Sequence, residues 1–252
     1  MRIVRFRIGD RTRYGVLEGT QVIEYSGTPF STFRRGRRRL PASQVVLLAP
    51  VLPTKIVGIN LNYRDHASEL GVSVPEEPAI FFKPVSALVG PGDPIVYPPQ
   101  SRRVDYEAEL AIVMRRRCRN VPVARAREHV LGYTCLNDVT ARDLQRRDRV
   151  LGRAKGFDTF CPLGPCITTD IDAHAVRVET YVNGERRQSG STKELVFPVE
   201  DLVSRISEIM TLLPGDVIAS GTPAGVGPLQ PGDRVEVRIE GIGSLINPVV
   251  RV

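Results

Sequence analysis

The sequence predicts a β-rich α+β fold, a mixed sheet with a few helices, preceded by a small N-terminal β domain. Three observations carry this. Short strand-like runs bounded by Gly, Pro and Asn turns outnumber the helical patterns. Only some connections between them read as helical, so a regular βαβ repeat does not fit. The texture changes at the Pro50…Pro53 break, which divides residues 1–50 from residues 51–252.

In the first region Val4, Phe6 and Ile8 alternate with Arg5 and Arg7, giving a strand over Arg2–Ile8. Tyr14–Glu18 and Gln21–Tyr25 are two more strands around a Gly19-Thr20 turn. A basic loop, Arg34-Arg35-Gly36-Arg37-Arg38-Arg39, precedes a strand at Val45–Leu48. In the second region Lys55–Ile59 is a short apolar strand, and Tyr63–Leu70 makes about two helical turns that stop at Gly71. Ala79–Lys83 reads as a strand and Pro84–Pro99 as a loop, followed by a strand through Tyr106–Met114. Ala124–Val130 is a short helix, Gly132–Leu136 a strand and Val139–Arg149 a helix. Lys155–Pro165 reads as a rigid, turn-rich segment. Asn183-Gly184 between Val176–Val182 and Glu185–Gln188 is a type I′ hairpin signal. An amphipathic helix over Val199–Leu212 precedes strands at Asp216–Ser220, Arg234–Glu240 and Ser244–Asn247.

Hydrophobic content of 42% and charged content of 25% are ordinary for a soluble globular chain of 252 residues. The net charge of +7 comes largely from Arg runs, including Arg115-Arg116-Arg117 and Arg146-Arg147. No helix-turn-helix, finger or aromatic RNA-binding motif accompanies them, so they read as solvated loops rather than a nucleic-acid surface. Their positive field suits an anionic metabolite. Cys118, Cys135, Cys161 and Cys166 form no CxxC pair, which argues against a zinc knuckle and for reduced, structural thiols. Met1 leads directly into a strand and no apolar run is long enough for a bilayer, so the expectation is a cytoplasmic protein with no membrane partner.

The strand through Tyr106–Met114 carries Glu107 and Glu109 two residues apart, hence on one face, opposite Ala108, Leu110, Ile112 and Met114. Two like charges on a core strand repel and lose hydration. A divalent cation relieves both penalties, because hard cations take carboxylate oxygens. Asp138, between a strand and a helix, is either a helix cap or a third ligand aimed from the strand end. Three such carboxylates would hold Mg2+ with positions left open for chemistry.

Other candidates are ambiguous singly. His66 and Glu69 are neighbours on a helix face, either an ordinary surface contact or an imidazole oriented as a base. Lys155 is either a solvated cation or a neutraliser of a substrate oxyanion. Gly221–Gly227 is either a plain turn or a loop whose N–H groups approach an anion.

Together these segments resemble the fumarylacetoacetate hydrolase (FAH) family. The resemblance rests on Asn62-Tyr63-Arg64-Asp65-His66, Asp105-Tyr106-Glu107-Ala108-Glu109-Leu110, Asn137-Asp138-Val139-Thr140-Ala141-Arg142-Asp143, Lys155-Gly156-Phe157-Asp158-Thr159-Phe160, Pro214-Gly215-Asp216 and Gly221-Thr222-Pro223-Ala224-Gly225-Val226-Gly227. The motifs occur in order from Lys55 to Leu245, about three-quarters of the chain. The chain departs from many relatives in carrying Asn60-Leu61 where they have a glycine near the lid.

The resemblance implies a mixed β-roll for the second region, and a homodimer. It implies Mg2+ (or Mn2+ or Ca2+) at Glu107, Glu109 and Asp138. It makes His66 and Glu69 a lid-helix dyad that activates water, and Lys155 an enolate-stabilising lysine. It places Arg142, Gln145 and Thr222 against the substrate. The expected activity is Mg2+-dependent chemistry on a small anionic 2-oxo or 2,4-dioxo acid through a metal-bound enolate, first C–C hydrolysis of an acylpyruvate. The alternatives are isomerisation or decarboxylation of a 2-hydroxyhepta-2,4-diene-1,7-dioate, as in aromatic catabolism, and decarboxylation or tautomerisation of oxaloacetate. Two rivals stand beside it: a basic nucleic-acid-binding protein, which leaves the buried carboxylates unexplained, and a catalytically idle relative, which the intact His66/Glu69/Lys155 set argues against.

Overall fold

The strand that carries Glu109 has apolar cores on both of its faces. This is seen in a computed structural model, which describes residues 1–251. Five strands come from the first fifty residues: β1 (Arg2–Ile8), β2 (Arg11–Glu18), β3 (Gln21–Gly27), β4 (Phe33–Pro41) and β5 (Val46–Leu48). There follow β6 (Ile56–Asn60), α1 (Arg64–Leu70), β7 (Ala79–Lys83), β8 (Leu88–Val89), β9 (Ile95–Tyr97), β10 (Val104–Tyr106) and β11 (Ala108–Met114). Next are α2 (Val123–Ala126), β12 (Val130–Asn137), β13 (Thr140–Ala141), α3 (Arg142–Asp148), α4 (Leu151–Lys155) and β14 (Cys161–Thr168). The chain closes with β15 (Arg177–Val182), β16 (Glu185–Ser191), α5 (Val199–Ile209), β17 (Val217–Ala219), β18 (Gly227–Leu229), β19 (Arg234–Ile239) and β20 (Gly243–Arg251).

The fold is α+β and β-rich, with mixed sheets. The largest runs β4-β3-β2-β1-β14-β12-β11-β17-β6-β7, with β5 added on β1 and β8 on β14. Most neighbours are antiparallel, but β17 and β6 are parallel. The N-terminal strands enter this sheet through the β1–β14 pair, where Arg2 lies opposite Thr168. A second sheet runs β16-β15-β19-β20-β9 and a third runs β13-β10-β18.

Strand β11 is buried throughout its length. Ala108, Leu110, Ile112 and Met114 enter one core, beside Val178 and Val237 of the second sheet and Leu202 and Ile206 of α5. Ala111 and Val113 enter another, beside Ile56, Leu163 and Val217. Glu109 shares the side of Ala111 and Val113, so it is a charge on the inner face of a central strand.

Several local expectations need correction; the stretch Pro84–Pro99, expected as a loop, holds the short strands β8 and β9. The basic run Arg34–Arg39 is not a loop but lies in β4, paired with β3 and outermost in the sheet. Only Leu40 of that strand is buried, so backbone pairing defines it rather than an apolar pattern, and charge suits an unpaired edge. The supposed turn-rich segment continues into β14, a central strand between β1 and β12 despite Pro162, Gly164 and Pro165. The β12–β14 register shifts between Tyr133 and Cys135, opposite the stretch of β14 that holds Pro165. The single strand over Tyr106–Met114 is broken at Glu107, where the chain passes from the third sheet to the largest. The helix expected from Val139 starts at Arg142, because Thr140 and Ala141 pair with β10.

Other signals appear as anticipated. Helix α1 ends at Gly71 in the left-handed conformation with φ 67°. Asn183 and Gly184 have φ of 53° and 85°, as a type I′ turn requires. All four cysteines are buried and free. Among the described residues no helix is long and apolar enough to cross a membrane.

Buried polar side chains set the frame around β11. Asp216 accepts from Thr54 N at 3.1 Å, Lys55 N at 3.2 Å and Leu213 N at 2.7 Å, fixing the start of β6 beside β17. Asn62 donates to Phe197 O at 3.1 Å and Ser220 O at 2.8 Å, and accepts from Phe197 N at 2.9 Å. It anchors the approach to α1. The preceding Leu61 holds φ 57°, the left-handed region in which glycine is free of strain.

Candidate active site

The break at Glu107 turns its carboxylate toward that of Glu109, and the end of β12 brings Asp138 to both. A carboxylate oxygen from each of Glu107, Glu109 and Asp138 lies within 4.8 Å of the others, and all three residues are buried. The backbone holds this convergence: Glu107 N donates to Asn137 Oδ1 at 3.0 Å and Asp138 N to Glu107 O at 2.9 Å. Asp138 does not cap α3, whose N-cap position is Ala141. Its carboxylate turns inward instead.

Three cations meet this cluster. Lys155, at the end of α4, is not solvated: it donates to Glu107 Oε2 at 2.9 Å, to Thr140 Oγ1 at 2.9 Å and to Asp138 Oδ2. Arg142 pairs with Glu107 Oε1 and, through Nε, with Asp105 Oδ2 at 2.9 Å. Its Nη1 donates to Gln145 Oε1. Lys83, which the sequence reading did not single out, closes the cluster from behind. Its ammonium reaches Asp138 Oδ1 at 2.5 Å and Lys155 O at 2.7 Å. A lysine at the end of an apolar strand leaves no periodic signal, so only the fold reveals it. Asp105, Thr140 and Asn137 were missed in the same way, although each lies within a quoted motif.

The cations are distributed unevenly. Burial alone would raise the Glu107 pKa, but the Lys155 ammonium and Arg142 guanidinium overcome it and hold it at about 2. Glu109 has one hydrogen bond, from Gly221 N at 2.8 Å, and no ion pair among the described residues. Burial, reinforced by the Asp138 charge, pushes its pKa well above the ordinary 4.5. Burial opposes the charge of Lys155, yet the carboxylates of Asp138 and Glu107 prevail and raise its pKa. The cluster therefore contains one carboxylate that makes no ion pair among the described residues. Three buried carboxylates are a hard-oxygen donor set, suited to a cation such as Mg2+. The residues present thus fit a divalent cation.

A cavity of about 380 Å³ opens on the cluster. Glu107, Glu109, Lys155, Arg142, Gln145, Thr222 and His66 all line it, with Phe81 and Leu61 among the apolar walls. Asp138 lies behind this lining, and Glu69 borders an adjoining opening. His66 Nδ1 is 2.8 Å from Glu69 Oε2, and the His66 side chain is 13% exposed. Glu69 Oε1 accepts from Gly225 N at 3.1 Å, and Asp65 Oδ2 from Ala224 N at 3.4 Å. The glycine loop thus fastens α1 over the cavity with two backbone N–H groups. A third N–H, from Gly221, points at Glu109. The anions this loop approaches are the protein's own. Gln188 supports the loop from the second sheet, donating to Thr222 Oγ1 at 2.9 Å and Pro223 O at 2.8 Å.

The family described as Fumarylacetoacetate (FAA) hydrolase, C-terminal, matches residues 55–250. The chain belongs to the fumarylacetoacetate hydrolase family. Residues 1–50 match a family described as Rv2993c-like, N-terminal. This FAH-family enzyme is similar to 5-carboxymethyl-2-hydroxymuconate delta-isomerase from Mycobacterium smegmatis, at 46% identity over 100% of both chains and a TM-score of 0.94. It is similar to 2-hydroxyhepta-2,4-diene-1,7-dioate isomerase from Mycobacterium marinum, at 44% identity over 100% of this chain and 98% of that one, with a TM-score of 0.93. The human mitochondrial oxaloacetate tautomerase FAHD2A is 44% identical over 250 residues, 92% of this chain and 79% of the human protein.

Proposed function

We propose that this FAH-family protein is a divalent-metal-dependent enzyme acting on small 2-oxo and 2,4-dioxo acids, and that it cleaves the C–C bond of an acylpyruvate by hydrolysis. The reading is carried by one juxtaposition: a buried three-carboxylate cluster and a His66–Glu69 pair facing the same cavity. Mg2+, or Mn2+ or Ca2+ in its place, held by Glu107, Glu109 and Asp138, would supply Lewis-acid polarisation of the 2-oxo group. The remaining roles fall to the protein's own side chains.

With Nδ1 of His66 on the Glu69 carboxylate, Nε2 is left to take a proton from water, and Glu69 stabilises the imidazolium that forms. The water oxygen adds to C4 of the 2,4-dioxo acid. The C3–C4 bond then breaks, its electron pair remains on the three-carbon fragment, and His66 returns the proton. Lys155 offers its positive charge to the developing enolate. Arg142 retains a hydrogen on each terminal nitrogen beyond those given to Glu107 and Gln145, enough to orient a substrate carboxylate. Thr222 and Gln145 complete the wall that positions it.

The names of the relatives support a second reading. Two are isomerases and one is an oxaloacetate tautomerase, so the same residues would move a proton without breaking a carbon–carbon bond. A panel with Mg2+ separates the two: acylpyruvates, fumarylpyruvate, oxaloacetate and a 2-hydroxy-2,4-dienedioate, following pyruvate release and enol absorbance independently. Pyruvate released from an acylpyruvate supports hydrolysis. Loss of enol absorbance without pyruvate supports the proton-transfer reading. No turnover of any member sinks both.

A further inference from the structure

A cavity of about 480 Å³ lies at the seam between the first fifty residues and the rest of the chain, and it shares no lining residue with the carboxylate site. Ile3 and Phe33 line it from the first region, and Leu131, Arg115 and Arg127 from the second. Local structure explains why these groups meet. The β11–β12 register shifts after Val113, so that Val113 lies opposite Gly132 and Met114 opposite Val130. Leu131 is the extra residue of that bulge and has no partner on β11. Arg115 N donates to His129 O at 2.7 Å, which carries the pairing one residue past the end of β11. Alternation then sets the Arg115 side chain on the face of Ala111 and Val113, whose core Phe33 and Leu131 pack against. Glu109 lies at the other end of this strand, about 20 Å away.

Neither guanidinium is neutralised. The Arg115 side chain is exposed and makes no ion pair or hydrogen bond among the described residues. Arg127 lies over the Tyr133 ring, 5.0 Å from its centroid, and donates through Nη1 to the Tyr133 hydroxyl at 2.5 Å. The carboxylates that neighbour them are engaged elsewhere. Glu128 pairs with Arg125 at 3.2 Å and Arg116 at 3.7 Å, and Asp170 accepts from the amino group of Met1 and from Thr169 Oγ1. Two positive groups thus border one cavity without an ion-paired carboxylate, beside walls that are largely apolar.

We infer that this cavity is a second ligand site, separate from the carboxylate cluster, and that it takes a small carboxylate carried on an apolar, ring-sized body. Guanidinium forks match a planar carboxylate with parallel hydrogen bonds. Ile3, Phe33 and Leu131 gain by covering the apolar body. A bare phosphate leaves those walls uncovered, and a neutral ring leaves both guanidinium groups unanswered. The site binds its ligand and makes or breaks no bond. It does not depend on the reaction proposed above. Because its walls come from both regions of the chain, an occupant joins them.

The test is calorimetric titration of the full chain with 2-naphthoate, its neutral isostere 2-naphthamide, and inorganic phosphate. The carboxylate should bind at one site, with the amide and phosphate each at least about tenfold weaker, the worth of one charge-assisted hydrogen bond. Arg115→Glu should weaken 2-naphthoate by at least about tenfold, and Arg115→Gln by less. Because the Arg115 side chain has no partner to lose, both variants should melt with the wild type. Naphthoate affinity unchanged in Arg115→Glu overturns the site, since such binding lies elsewhere. Amide or phosphate binding as tight as naphthoate overturns the assigned ligand class, and no saturable naphthoate binding overturns the inference whole. None of these outcomes bears on acylpyruvate turnover, which is read by pyruvate release.

Discussion

Lys83 Nζ lies 2.5 Å from Asp138 Oδ1, and neither side chain reaches solvent. The pair sits behind the carboxylate cluster, on the side away from the cavity lining. The same ammonium reaches the backbone carbonyl of Lys155, so one buried cation fixes two elements of the site.

Replacing Lys83 with Met keeps most of the apolar stem and removes the terminal ammonium with its charge. It leaves Asp138 short of one partner in a sealed environment, a change that typically costs about 3–5 kcal/mol. Denaturant unfolding of Lys83→Met should register a loss of that order. A loss below about 1 kcal/mol would show that the pair does not hold the cluster together.

Glu109 predicts opposite behaviour with and without metal. Its folded-state pKa lies above the ordinary 4.5, so its share of stability is full below that pH and is lost as pH rises towards the folded-state value. Glu109→Gln removes this loss. In metal-free protein the variant should melt higher than the wild type at pH 8 and lose its advantage near pH 4. Adding Mg2+ should reverse the order. Ligand at a hundred times its Kd stabilises by about 2.7 kcal/mol, a gain open to the wild type alone. An equal Mg2+-induced rise in Tm in both proteins would take Glu109 out of the metal set.

His66→Ala should leave Mg2+ affinity intact, since His66 is not among the carboxylate donors. It should reduce hydrolysis of an acylpyruvate about 10²–10⁴-fold, the usual worth of a general base. Unaltered pyruvate release would end the water-activating role.

Gly221 combines a backbone φ of 98° with a close neighbour: a Cβ built there would lie 2.9 Å from Asn62 Cβ. Gly221→Ala should therefore cost about 1–3 kcal/mol in thermal or chemical unfolding. Because Gly221 N also donates to Glu109, calorimetry should detect weaker Mg2+ binding in the same variant. A variant matching the wild type in both would mean that the loop relaxes freely and does not position Glu109.

The sequence by itself determined the β-rich class, most strand positions, the Asn183-Gly184 turn, the stop of α1 at Gly71, and the two carboxylates sharing a face in a core strand. Each rests on local chemistry: side-chain alternation, turn residues that accept positive φ, or the cost of burying like charges. The motif set extended this to His66, Glu69, Lys155, Arg142, Gln145 and Thr222, which the fold gathers around one cavity and an adjoining opening. Tertiary structure alone decided that the basic run is the edge strand β4, because backbone pairing with β3 needs no apolar pattern. It alone decided that the proline-bearing Cys161–Thr168 segment is a central strand, because strands on both sides hold it there. It brought Asp138 into the carboxylate cluster, one of the two places the sequence left open for it, and it exposed Lys83 as the counter-ion behind it. A buried charge is chosen by the charges it meets, and those come from residues 55 positions apart in the chain.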